Sequence, residues 1–413
     1  VAVTFKTNVK AAPTVEVEKT SGPPPADKKL SVVKMVPKGI PAVGSAAEVL
    51  AGIRKDKGDK VVVMGNTIAP VRRLPTGIFE FDFATGGGFP RGRYSIVYGP
   101  ESSCKTNLAL KAVAQAQKLP APCNKAVWVN IEQTFDPIWA EKMGVNTKEL
   151  IVVQAGYGEE AVDLTIALVQ AEDVALVVAD SLAALIASKE IAKSVEEYDV
   201  GTTAMLIKRM ANKLMIAFGE ERKRDHDPCV IFINQIRYKP NTRFGDPETM
   251  PGGEAIKFLC SLRVRTSAKN IINTKTGKLV YKETKVVVKK AKVPVRTTSF
   301  EFKLCMIAAD GLSVGETDSF NGVKVHLQAL QLLAKTPKGW ALQMGKKSIP
   351  FATLSAMEER YLSDGAFSLA CQGLVIEQHK DEMILVEEPD TSPKDVQPGT
   401  AVDVEVDDGD VSY

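Results

Sequence analysis

Three observations predict an α/β fold with a mostly parallel central sheet flanked by helices. Continuously apolar segments at 94–98, 126–131, 151–154, 175–179 and 230–233 alternate with helical patterns at 137–143, 159–170 and 201–218. Strands that are apolar on both faces belong to a sheet covered on both sides, and the alternation with helices makes neighbouring strands parallel. The second observation is the turn Gly99, Pro100, Glu101, Ser102, Ser103, Cys104, Lys105, Thr106, which joins strand 94–98 to an alanine- and leucine-rich helix at 106–117. The third is that three later strands run into Glu132, Asp180 and Gln235, at the carboxyl ends where open α/β sheets carry their functional groups.

The turn is a phosphate site. It lays successive backbone N–H groups around an anion at the positive end of a helix, Lys105 reaches the β- and γ-phosphates, and the Thr106 hydroxyl can ligate Mg²⁺. A nucleoside triphosphate, ATP with Mg²⁺, is the natural ligand. Cys104 stands where the pattern has its second glycine, so the backbone there must tolerate a Cβ.

The 413 residues, 45% of them hydrophobic, are enough for one large domain with smaller attachments. No apolar run is long enough to span a bilayer and no apolar signal core is seen, so a cytoplasmic protein without membrane contact is expected. The six cysteines are scattered without a C-x-x-C pair, which predicts reduced thiols and no zinc. The net charge of +3 hides a basic cluster (Lys285, Lys289, Lys290, Lys292, Arg296) and an acidic end (Asp403, Glu405, Asp407, Asp408, Asp410). That asymmetry suits a polyanion partner and a tail that competes with it, or simply solubility.

In chain order, residues 1–38 are proline-punctuated and read as a flexible arm. Residues 39–75 hold a helix capped by Ser45 and running through Arg54, then a strand at 61–64, a piece that must dock on its own core or on a neighbouring subunit. The ATPase core spans 76–310 and begins with a turn at Gly86, Gly87 and Gly88. Period-two strands at 258–265, 279–288 and 299–306 predict an antiparallel extension of the sheet. A small C-terminal α/β domain at 311–387 contains a helix at 325–334, the stretch 340–344 and a helix at 353–361, and 388–413 is an acidic tail expected to be disordered.

Asp180 ends an apolar strand beside the phosphate loop, where a carboxylate orients water on the loop's Mg²⁺. Glu132 supplies a second carboxylate to activate the attacking water. Gln235 is placed to sense the γ-phosphate and leads into a long polar stretch, an arrangement suited to a switch.

The runs 99–106, 180–185 (Asp180 to Leu185), 232–237 (Phe232 to Arg237) and 244–249 (Phe244 to Thr249) resemble the RecA family of DNA strand-exchange recombinases in order and spacing, and the likeness extends over about 45–306. The resemblance implies that Lys105 and Thr106 hold phosphate and Mg²⁺, Asp180 supports the metal, Glu132 is the general base and Gln235 the γ-phosphate sensor. Asp136 and Trp139 stand at the spacing of the family's adenine-contacting pair, Trp139 alternatively being a packed core residue. Two DNA-binding loops correspond to about 190–205 and 237–253 and contribute Val200, Gly201, Arg237, Pro240, Arg243, Phe244, Gly245, Gly252 and Gly253, with Lys208 and Arg209 beside them. Val200 and Pro240 replace the larger residues that wedge between bases in the bacterial pattern. Lys290 and Lys292 match paired lysines that reach a neighbouring subunit's nucleotide. Lys257, Phe258 and Arg263 match a subunit-interface segment, Phe258 being either its apolar anchor or intramolecular core.

The function implied is that of a DNA-dependent ATPase and homologous recombinase, a divergent member of the kind a phage can encode. It would form a helical homo-filament on single-stranded DNA and exchange strands with homologous double-stranded DNA. A filament-forming regulator with weak hydrolysis, or a helicase or repair ATPase on the same core, are the competing readings.

Overall fold

The computed structural model describes residues 45–58, 61, 65, 68–191, 201–238 and 248–379. The chain divides into two units between Ile68 and Ala69. In the first, α1 (Ala46–Lys57) starts in a capping box: Ser45 Oγ accepts from Glu48 N while the Glu48 carboxylate accepts from Ser45 N. The arm, most of the strand expected at 61–64, and the acidic tail lie outside the described residues.

In the second unit, β1 (Arg73–Leu74) pairs with β2 (Phe89–Pro90) around α2 (Phe79–Thr85), a helix the sequence reading did not assign. There follow β3 (Arg93–Gly99), α3 (Lys105–Ala116), β4 (Lys125–Asn130), α4 (Pro137–Lys142), β5 (Ile151–Val153), α5 (Gly158–Val169), β6 (Val174–Asp180), α6 (Ser188–Ile191), α7 (Thr202–Lys223) and β7 (Cys229–Gln235). A short pair, β8 (Arg237–Tyr238) with β9 (Glu248–Thr249), leads to α8 (Gly253–Leu259) and three antiparallel strands, β10 (Leu262–Ile272), β11 (Leu279–Ala291) and β12 (Ser299–Cys305). β13 (Thr317–Asp318), α9 (Phe320–Ala329), β14 (Leu333–Thr336), β15 (Gly339–Met344), β16 (Lys347–Phe351), α10 (Leu354–Ser363) and α11 (Gly365–Gln378) complete the described chain.

The central sheet has the order β13-β12-β11-β10-β3-β7-β6-β4-β5. From β10 to β5 all pairs are parallel, and β11 to β13 continue it antiparallel. Alternation along each strand feeds two cores. Val97, Trp128 and Ile231 pack on the α3 side, whereas Ile96, Val127 and Phe232 pack on the α5 and α7 side.

A third core gathers Phe79 and Phe83 of α2, four residues apart on one helix face, with Phe320, Val323 and Leu327 of α9 and Phe367 and Cys371 of α11. Burying each phenylalanine there contributes about 2 kcal/mol.

Two elements differ from expectation. The strand expected from Phe258 begins at Leu262, because 253–259 forms α8; its short apolar turn mimics period-two alternation. The helix expected at 325–334 begins five residues earlier, set by Phe320, Val323 and Leu327, and ends before Gln331, whose positive φ of 58° breaks it, so Ala334 belongs to β14. No helix of the described residues is long and apolar enough to cross a membrane.

Candidate active site

β3 delivers the chain to Gly99, where a Cβ would come within 2.3 Å of the Thr266 carbonyl oxygen, so only glycine passes β10 at this point. Ser103 Oγ donates to the Pro100 carbonyl at 2.7 Å and therefore accepts from Thr266 Oγ1 at 2.9 Å, which closes the turn and pins it to β10. Cys104 takes the left-handed conformation of the missing glycine, φ 66° and ψ 21°. Its side chain is buried in the α3-side core, facing Thr284 and Asn107, and burial pushes the thiol up from its ordinary value. No side chain caps the first turn of α3, which suits an anion there.

Lys105 Nζ donates to the Pro100 carbonyl at 2.6 Å, folded back over its own loop. Its ammonium is pulled down by burial, opposed by the charges of Asp180 and Glu132. Thr106 Oγ1 donates to Asp180 Oδ2 at 3.2 Å. The Asp180 carboxyl is pushed up to about 7, by burial first and the Glu132 charge second, with Thr106 and Lys105 acting against them. A hydroxyl and a carboxylate at the loop edge are hard oxygen donors, the chemistry that fits Mg²⁺.

Sheet register sets the remaining groups beside these. Gly99 of β3 pairs with Gln235 of β7, and Asn130 of β4 pairs with Asp180 of β6. Glu132 Oε1 accepts from Ser181 Oγ in a short hydrogen bond and from Gln235 Nε2 at 3.3 Å. Arg237 Nη1 in turn donates to Gln235 Oε1 at 3.0 Å. Lys105, Thr106, Asp180, Glu132 and Gln235 thus meet at one sheet edge, with Pro100, Glu101 and Ser102 on the exposed arc of the loop.

Asp136 Oδ1 caps α4, accepting from Ile138 N at 2.9 Å and Trp139 N at 3.2 Å. Trp139, half-buried against the core, donates from Nε1 to Asn107 Oδ1 of α3 at 2.9 Å, which fixes its indole near the phosphate-loop helix.

Val200, Pro240, Arg243, Phe244 and Gly245 lie outside the described residues. The ends of the two candidate loops adjoin. A Cβ at Gly253 would stand 3.9 Å from Ala204 Cβ, and one at Gly252, in its left-handed conformation, 3.0 Å from the Ile207 side chain. Gly201 precedes α7, and Lys208, Arg209 and Arg237 are exposed. The second loop's base is held by Arg265, bidentate on Glu248 at 2.6 and 2.7 Å, and by Lys257 Nζ donating to Thr249 Oγ1 at 3.1 Å.

Phe258 is 67% exposed on α8, which removes the core reading. Lys290 Nζ donates to the carbonyls of Lys257 (2.9 Å) and Phe258, and Lys292 Nζ to that of Leu259 at 3.3 Å, so both lysines cap the C-terminus of α8. Lys290 pairs with Arg263, three residues before Thr266 on β10, which puts it about 10 Å along the strand from its own phosphate loop. Arg263 is half-buried, and its Nε has no partner among the described residues.

Thr266, Ser181 and Asn107 brace the site without having been singled out in the sequence. Lys282 also went unnoticed; its Nζ donates to the Ser102 carbonyl at 3.2 Å. Asn107 and Ser181 directly follow Thr106 and Asp180 in the chain, whereas Thr266 and Lys282 reach the loop only through the packing of the sheet.

Residues 45–312 match the family model of the RecA N-terminal domain. Protein RecA of Methylococcus capsulatus is 41% identical over 267 residues, covering 63% of this chain and 73% of that protein. Protein RecA of Allochromatium vinosum is 40% identical over 261 residues, covering 62% and 73%. The crystal structure of the RadB recombinase overlaps 56% of this chain and 96% of its own at 23% identity and a TM-score of 0.42, too loose a likeness to carry an argument. The match to the RecA N-terminal domain over most of the described core, with relatives near 40% identity covered over most of their length, places this chain in the RecA family of recombinases.

Proposed function

We propose that the chain is an ATP-dependent homologous recombinase that forms a helical filament on single-stranded DNA, pairs it with homologous duplex and exchanges strands. The observation that carries this reading is the hydrogen-bonded set at one sheet edge: Thr106 on Asp180, and Gln235 bridging Glu132 to Arg237. Lys105 leaves the Pro100 carbonyl to hold the β- and γ-phosphates. Thr106 and Asp180 hold Mg²⁺, which supplies charge neutralisation when bound.

Glu132 takes the proton from the attacking water, and Ser181 and Gln235 keep its carboxylate aimed. Gln235 reads the γ-phosphate and passes its presence through Arg237 into the loop whose far end is tied down at Glu248. ATP then favours the DNA-gripping conformation by differential affinity, and hydrolysis releases it. Lys208, Arg209, Arg237 and the loop residues Val200, Gly201, Pro240, Arg243, Phe244, Gly245, Gly252 and Gly253 form the DNA surface.

Asp136 and Trp139 flank the adenine. Lys290, about 10 Å back along β11 from its own loop, and Lys292, just past the end of that strand, serve a neighbouring protomer's nucleotide, while Lys257, Phe258 and Arg263 contact that neighbour. Residues 39–75 act as the oligomerisation segment and 76–310 as the motor core, followed by the small domain at 311–387.

ATP hydrolysis measured with and without single-stranded DNA tests the reading, together with electron microscopy of the products. Stimulated turnover and extended filaments are expected. Turnover indifferent to DNA, or closed rings, contradicts it.

A further inference from the structure

The phosphate loop has two lysines parked on its carbonyls. Lys105 Nζ rests on the Pro100 carbonyl from within the loop, and Lys282 Nζ rests on the Ser102 carbonyl from β11, two strands away in the sheet. Lys282 is half-buried and held in register by Asn270 of β10 on one side and Leu304 of β12 on the other, so its ammonium is delivered to the loop by rigid structure. An ammonium on a loop carbonyl is a weakly committed cation. A phosphate oxygen carries a negative charge that the neutral carbonyl lacks, so it is the stronger partner for the ammonium.

The sheet order says which part of a nucleotide it would meet. Glu132 follows β4, and Asp180 and Gln235 end β6 and β7, all on one side of β3, whereas β10 and β11 lie on the other. Lys282 therefore approaches from the flank opposite the hydrolytic groups. It is also close enough for its charge to act on the buried Cys104 thiol, ahead of the charge of Lys105.

We propose that Lys282 is a second phosphate-binding lysine of this site, holding the phosphates that a nucleoside di- and triphosphate share, on the side away from the γ-phosphate. The assignment rests on the nucleotide-binding reading above. Contacts made equally in ground and transition states raise affinity without raising turnover at saturation, and this separates Lys282 from Lys105.

The test is titration of the full chain and its Lys282→Gln and Lys282→Arg variants with MgADP and with a non-hydrolysable Mg–ATP analogue, alongside steady-state hydrolysis. Lys282→Gln is expected to weaken both ligands by a similar factor, roughly tenfold, and to raise KM alike with kcat unchanged; Lys282→Arg restores both. Loss confined to the triphosphate analogue, or a fall in kcat at saturating ATP, overturns the assignment, since it would mean a γ-phosphate role or a mere strut for the loop. Binding by the unaltered chain that Lys282→Gln leaves unchanged overturns it alone, and absence of binding by the unaltered chain overturns the nucleotide reading with it.

Discussion

Thr106 Oγ1, at the start of α3, donates to Asp180 Oδ2, at the end of β6, across 3.2 Å. Two segments 74 residues apart thereby place a hydroxyl and a carboxylate together beside the amino end of the phosphate-loop helix. Hard oxygen donors at that spot are what a Mg²⁺–triphosphate requires.

Lys105→Ala removes the cation that the loop holds against Pro100. Turnover is expected to fall at least ~100-fold, as for loss of a group that stabilises transition-state charge. A phosphate-release assay reads it, and undiminished turnover would show that the loop serves no triphosphate.

Gln235→Ala breaks the bridge between Glu132 and Arg237. MgATP affinity should persist while the DNA-stimulated part of hydrolysis drops roughly 100-fold. Equal losses of nucleotide and DNA affinity would contradict a switch at this residue.

Phe258→Ala acts on a ring that is 67% exposed. Protomer stability should change by less than about 0.5 kcal/mol, whereas self-association measured by sedimentation should weaken by about tenfold or more. A protomer that melts early with assembly intact would reverse the assignment.

Cys104→Val puts a β-branched residue at φ 66°, a strain of about 1–3 kcal/mol. The variant should raise the KM for ATP, while Cys104→Gly, which suits that conformation, keeps it low. Steady-state kinetics of the two variants decide the matter, equal KM values being the contrary result.

Glu80 of α2 accepts from Ser319 Oγ at 3.1 Å and is pushed up to about 8, by burial first and by the charges of Asp318 and Asp82 after it. Unfolded, it titrates near 4.5. Between those values the folded chain binds more protons than the unfolded one, so stability falls as pH rises through the window. Asp82, pushed up to about 7 by burial, adds to the slope in the lower part of it. Glu80→Gln should flatten the decline in melting temperature from pH 5 to pH 8, and an unaltered slope would remove Glu80 as its source.

Reading the chain alone singled out the loop at 99–106 and the strand-end residues Glu132, Asp180 and Gln235, which the fold brings to one sheet edge, because each is a local event in which an apolar strand runs straight into a polar turn. The same reading lost Lys282, since nothing near it in sequence marks it. It enters the site through its pairing with Asn270 and Leu304. Phe258 was assigned to a strand because one short helical turn and the first residues of β10 together imitate an alternating pattern, and α2 was missed because Phe79 and Phe83 face an α9 that arrives some 240 residues later.

From the residues alone came the α/β class, the phosphate loop with its cysteine in a glycine's place, and the resemblance to recombinases, all carried by short-range patterns of hydrophobicity and turn chemistry. Folding in three dimensions decided which lysines sit on the loop, which cap α8, and that the Phe258 ring faces outward. Those outcomes depend on strand register and on which apolar faces bury one another, long-range choices made by the whole core and not written in any one stretch of chain.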